Sequence, residues 1–111
     1  MRVGTFLFQR QQRLTSKKDY AEMFSRGTRR KSGCLLVTRK KNAVGYPRIG
    51  LSVPKKVGNA FVRNSIKRKC REAFRLAQHE LPAVDILLTV RPHEIMDTEE
   101  YKNLILLGIE S

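Results

Sequence analysis

Tryptophan is absent, cysteine occurs twice, and no apolar run approaches the roughly 20 residues that a membrane-spanning helix requires. Two cysteines, Cys34 and Cys70, make no disulfide framework. They lack CxxC spacing, and only His79 and His93 remain as soft partners, whereas a structural zinc site takes about four close ligands. Both cysteines are therefore expected as small buried hydrophobes. HxxxH and DxD spacings are missing, and neither histidine has a paired carboxylate, so the chain shows no catalytic set of its own. Internal repeats and low-complexity segments are missing too. The opening MRVGTFLFQR is too short and too charged for a secretory signal, and the cytoplasm is the expected compartment. Residues 1–12 read as a flexible basic arm, and residues 13–111 as one domain able to fold on a single core.

Acids are scarcest where bases are densest. Residues 1–54 carry 13 Lys and Arg against 2 acids, residues 55–75 carry 8 against 1, and residues 76–111 carry 2 against 7. The formal net charge of +13 implies a polyanionic partner. Its distribution places the positive potential in the first two thirds and makes the last third a neutralising flank.

Periodicity supplies the elements. TSKKDYAEMFSRG predicts a short helix capped by Thr15 or Ser16, with Tyr20, Met23 and Phe24 on one side and Gly27 as its stop. CLLVTRK, residues 34–40, predicts a strand, and KNAVGYP, residues 41–47, a hairpin-like loop. RIGLSVP alternates Ile49, Leu51 and Val53 inward as a second strand ended by Pro54. Asn59 is a suitable N-cap for a long helix running to about Glu80. AVDILLTV, residues 83–90, is an apolar run suited to a buried strand, with Asp85 as a structural carboxylate at its start. Asp97 or Thr98 caps a last helix through about Leu107. The order α-β-β-α-β-α predicts a two-layer α/β sandwich.

The long helix divides by face. With Val62 at zero and about 100° per residue, Val62, Ile66, Cys70, Ala73 and Ala77 cluster toward a sheet, with Phe74 and Leu76 at the margins. Asn64, Lys67, Arg68, Arg71 and Arg75 fall opposite, and Arg63 lies at the border. Lys69 sits on the apolar side and is expected to snorkel. Like charges at i, i+3 and i+4 destabilise a free helix by a few tenths of a kcal/mol per pair. A solvated face usually mixes signs, but Glu72 is the only acid between Gly58 and Arg75. The stripe matches a phosphate backbone, and arginine forks suit bidentate phosphate contact. Lys55, Lys56 and the helix start at Gly58 and Asn59 extend it. Charge alone does not separate RNA from DNA.

The block RIGLSVPKKVGNAFVRNSIKRKCREAFR resembles the signature of the bacterial ribonuclease P protein component, as do RLTSKKDYAEMFSRG and VDILLTVRP on either side of it. The resemblance covers about residues 13–107. One departure stands out: the family's RNR centre places arginine where this chain has Ser65, which implies a weaker or adjusted RNA contact. The resemblance implies an unusual left-handed β-α-β crossover, although such crossovers are nearly always right-handed. It also implies the accessory subunit of an endoribonuclease whose catalysis and Mg²⁺ binding reside mainly in RNA. The protein would bind that RNA, with no DNA expected, through Lys55, Lys56, Asn59, Arg63, Asn64, Lys67, Arg68, Arg71 and Arg75. It would grip the 5′ leader of precursor tRNA in a cleft built from Tyr20, Phe24, Leu36 and Thr38, with Arg13 and Lys17 on leader phosphates. Core packing is the other use for the two aromatics, and a solvated turn for Arg13, Lys17 and Lys18. A structural RNA-binding protein, ribosomal or chaperone-like, accounts for the charge but not for the block. A stand-alone nuclease needs an acid–base or metal cluster that the sequence lacks.

Overall fold

Ser16 starts the first helix: its hydroxyl accepts from the Asp19 amide at 3.0 Å. The computed structural model describes residues 12–14 and 16–110, so Thr15 and most of the expected basic arm lie outside the described residues. Gln12 belongs to the fold and not to an arm; it is buried and its amide donates to Gln78 Oε1 at 2.8 Å. The elements are α1 (Lys17–Arg26), β1 (Thr28–Ser32), β2 (Leu35–Lys41), β3 (Arg48–Ser52), α2 (Ala60–Ala77), β4 (Val84–Val90) and α3 (Thr98–Ile109). Short 3₁₀ turns at Lys55–Val57 and Gln78–Glu80 flank α2. Asn59 caps α2, and Asp97 caps α3 with a reciprocal box to Glu100.

Two expectations about the sheet need correction. The strand order is β1-β2-β4-β3. β1, reading TRRKS, is an edge strand whose first four residues are exposed, so it carries no apolar alternation to announce it. It forms the hairpin, pairing antiparallel with β2 across Gly33, whose φ of 58° is a left-handed conformation that glycine adopts without strain. The loop from Lys41 to Pro47 is not a hairpin connection, because β4 lies between β2 and β3, antiparallel to the first and parallel to the second. β4 is buried on both faces, which suits its nearly continuous apolar sequence to the centre. The parallel β3–α2–β4 unit is a crossover connection through α2.

The core lies between one sheet face and the helices α2 and α3. Leu35, Val37, Ile49, Ile86, Leu88 and Val90 meet Ile66, Cys70, Ala73 and Phe74 of α2, and Tyr101 and Ile105 of α3. Phe74 is fully buried, central to this layer and not marginal. Burying each large side chain contributes about 1.5–3 kcal/mol. Leu14, Met23 and Leu87 form a smaller cluster under α1 on the opposite face. Lys69 snorkels as its position demands, donating to the Met96 carbonyl at 3.0 Å.

Buried polar groups are absorbed structurally. Asp85 accepts from Arg48 Nε and Nη2 and from Asn42 Nδ2, each at 2.8 Å, which joins β3, β4 and the loop before β3. His93 Nδ1 lies 2.7 Å from the Arg91 carbonyl, which can only accept, so that nitrogen is assigned the proton. Nε2, 2.7 Å from the Tyr101 hydroxyl, then accepts from it. His79 is exposed in the turn after α2. Among the described residues no helix is long and apolar enough to cross a membrane.

Candidate nucleic-acid interface

The basic side of α2 begins one turn before the helix. Lys55 and Lys56 are exposed on the 3₁₀ turn, followed by Asn59, whose Oδ1 accepts from the Val62 amide at 2.9 Å. That bond leaves the Asn59 amide nitrogen as the donor it can offer a phosphate. Asn64 and Arg68 are exposed, and Lys67 and Arg71 are half-buried. Among the described residues no carboxylate pairs with Lys55, Lys56, Lys67, Arg68 or Arg71. Arg63 turns back, its Nε donating to the Gly58 carbonyl at 3.1 Å. Arg75 is held by Glu72 through two contacts, so its charge is already partly answered.

Ser65 is buried and not at the edge of the basic side. The Arg68 guanidinium lies over it at the limit of hydrogen bonding, 3.5 Å from the hydroxyl. A side chain this short lets its neighbour fold across it; an arginine there would have to project.

Where α1, β3 and α2 meet, a pocket of about 260 Å³ is lined by Arg13, Tyr20, Gly50, Leu51, Lys67 and Arg71, with Leu14 and Ile49 behind. Arg13 reaches it because residues 13–14 run beside β3, with the Leu14 amide bonded to the Ile49 carbonyl at 2.8 Å. Burial, followed by the positive charge of Arg13, lowers the pKa of Arg71. The fold thus crowds like charges at this junction, where an anion would offset their repulsion. Tyr20 stands over Gly50 so closely that an added Cβ would sit 2.7 Å from its hydroxyl. A larger residue at position 50 would push the ring aside.

On the sheet face toward α1, register decides what is accessible. Thr38, Leu87 and Gly50 form one cross-strand row, and α1 lies on it. Thr38 is consequently 1% exposed and is packing beneath Gly27, not the floor of an open cleft. Leu36, one row away between Lys31 and Thr89, is half-buried and stays partly accessible on that face. Lys31 escaped the sequence reading because its strand did. On α1, Met23 takes the core position, while Tyr20 is half-buried and Phe24 is 53% exposed. Together with Ser16, Lys17 and Ala21, these two aromatics line a shallow hollow of about 440 Å³.

Such a surface can hold phosphates and stack bases. Its described residues contain no group of three or more His, Cys, Asp or Glu suited to a metal ion, and Asp85 is committed to Arg48 and Asn42. Fold and site define the class: an α/β protein with a cationic, aromatic-bearing surface suited to nucleic acid. The Ribonuclease P family profile matches residues 8–106. The ribonuclease P protein component of Chromohalobacter salexigens is 46% identical over 86 residues, 76% of this chain and 67% of that protein. That of Blochmanniella pennsylvanica is 42% identical over 96 residues, covering 86% and 81%. Among solved structures, the Staphylococcus aureus RNase P protein superposes with a TM-score of 0.77 at 30% identity, covering 87% of this chain and 91% of that one. The Thermotoga maritima protein gives 0.76 at 30%, covering 86% and 92%. The chain belongs to the ribonuclease P protein component family, the accessory subunits of an endoribonuclease.

Proposed function

We propose that the chain binds the catalytic RNA of ribonuclease P through the basic side of α2 and holds the 5′ leader of precursor tRNA along α1. One observation carries this reading: the Arg13, Lys67, Arg71 and Tyr20 pocket joins the two surfaces into one cationic path. Lys55, Lys56, Lys67 and Arg68 engage phosphates of the catalytic RNA, a contact that weakens with salt because the counterions it releases gain less entropy. Tyr20 and Phe24 stack on unpaired leader bases, and Leu36 closes the groove from beneath. Stacking tolerates any base, because every base has a π-face, so leaders of varied sequence fit. Lys17 and Arg13 steer leader phosphates.

The Mg²⁺ that the reaction requires finds no suitable donor cluster among the described residues, and we assign it to RNA phosphates. The chain's own contribution is then binding and orientation. Holding the leader favours precursor over mature tRNA, since only the precursor carries the segment that α1 holds.

Equilibrium binding of precursor and mature tRNA to the catalytic RNA, with and without the chain, tests this. The chain should tighten precursor binding and leave mature tRNA nearly unchanged. Equal effects on the two would refute the leader assignment.

A further inference from the structure

Phe61 is 82% exposed, the most exposed large apolar side chain among the described residues. It stands in the first turn of α2, just after the Asn59 cap and the cationic turn at Lys55 and Lys56. Seven residues separate it from Arg68, which places the two about 20° apart around the helix and about 10 Å apart along it. The ring therefore heads the same ridge as Arg68, with the small, buried Ser65 between them. A single exposed apolar side chain is ordinary on a protein surface. A large planar one inside a stripe of unpaired cations is better matched to a ligand that combines phosphates with flat apolar faces.

We infer that Phe61 is a stacking site for an unpaired nucleobase of the RNA held by α2. This rests on the assignment of α2 to RNA and adds a contact of different chemistry to it. Lys55 and Lys56 hold phosphates on one side of the stacked nucleotide and Arg68 on the other. The contact takes over part of what the absent arginine at position 65 would supply, and replaces an ionic interaction with one that salt does not screen. Charge argues against another copy of this chain as the occupant, since two faces of the same sign would meet.

The test measures affinity of the full chain for in-vitro transcribed ribonuclease P RNA across a salt series. Wild type, Phe61→Ala, Phe61→Tyr and Arg68→Ala are compared, with sedimentation of each free protein. Phe61→Ala should weaken binding roughly 5- to 150-fold, the effect of one stacked base, without changing the slope of log affinity against log salt. Phe61→Tyr should bind within about twofold of wild type, and Arg68→Ala should lose affinity and flatten the slope by about one. The exposed ring leaves the melting temperature unchanged in its variants. An unaltered affinity for Phe61→Ala alongside a loss for Arg68→Ala overturns the stacking site and spares the α2 assignment. Insensitivity of both variants overturns the assignment itself. Self-association of the free chain that Phe61→Ala abolishes would hand the ring to a protein contact and likewise overturn the proposal.

Discussion

Arg75 grips Glu72 from one turn further along α2, with Nε 2.9 Å from Oε1 and Nη2 on Oε2. This hydrogen bonding lowers the pKa of Glu72 and raises that of Arg75. The pair stands at neutral pH and loosens as acid protonates Glu72. Arg68, two turns earlier, has no carboxylate partner among the described residues. Arg68→Ala should therefore weaken RNA binding more than Arg75→Ala, and Glu72→Gln should strengthen it while steepening the salt slope by up to about one phosphate contact. Filter binding across salt concentrations reads all three variants.

Tyr20 and Gly50 test the leader surface. Tyr20→Ala should cost precursor affinity by about 1–3 kcal/mol, one stacked base, and spare mature tRNA. Gly50→Ala pushes a methyl to within 2.7 Å of the Tyr20 hydroxyl and 3.2 Å of Leu14 Cβ. It should reproduce the Tyr20→Ala pattern by tilting the ring. Equal losses on precursor and mature tRNA would remove Tyr20 from the leader site.

Asp85 is a structural carboxylate in this account. Removing one member of a buried ion pair strands the other, at about 3–5 kcal/mol. Asp85→Ala should lower the urea midpoint accordingly, and the Asp85→Ala/Arg48→Ala double variant should lose less than the two single losses combined. At temperatures where the variant stays folded, its response to Mg²⁺ should match wild type.

The legible parts of this fold were those where burial writes a pattern. Ile49, Leu51 and Val53 alternate, the α2 apolar side repeats every three or four residues, and the 84–90 run is apolar nearly throughout, so these elements and their caps could be read directly. β1 could not, because an edge strand of Thr, Arg, Arg and Lys buries only its last residue, Ser32. Its absence hid Lys31 and made Lys41–Pro47 look like a hairpin. Thr38 misled for another reason. Strand alternation fixes which face a residue takes, whereas its cover by Gly27 and α1 depends on where a separate helix lands. Ser65 shows the same limit, since its burial depends on how neighbouring side chains lie and not on its place in the helical repeat.

Thiol labelling distinguishes the two cysteines. Burial raises the pKa of Cys70 to about 12, with a smaller contribution from Cys34, and the side chain is fully buried. Cys34 is half-buried, and its thiol is raised as well. A disulfide reagent at neutral pH should modify one thiol slowly in the native protein and two in denaturant. Because Cys70 ionises more readily when unfolded, stability should fall as pH rises above about 9, and Cys70→Ala should flatten that fall.

Cleavage of precursor tRNA by ribonuclease P RNA across a Mg²⁺ series, with and without this chain, tests the central claim most directly. The account predicts that the chain alone cleaves nothing, and that with RNA it accelerates cleavage most strongly at low Mg²⁺. Rates unchanged by the chain at every Mg²⁺ concentration, or cleavage by the chain with all RNA removed, would contradict it.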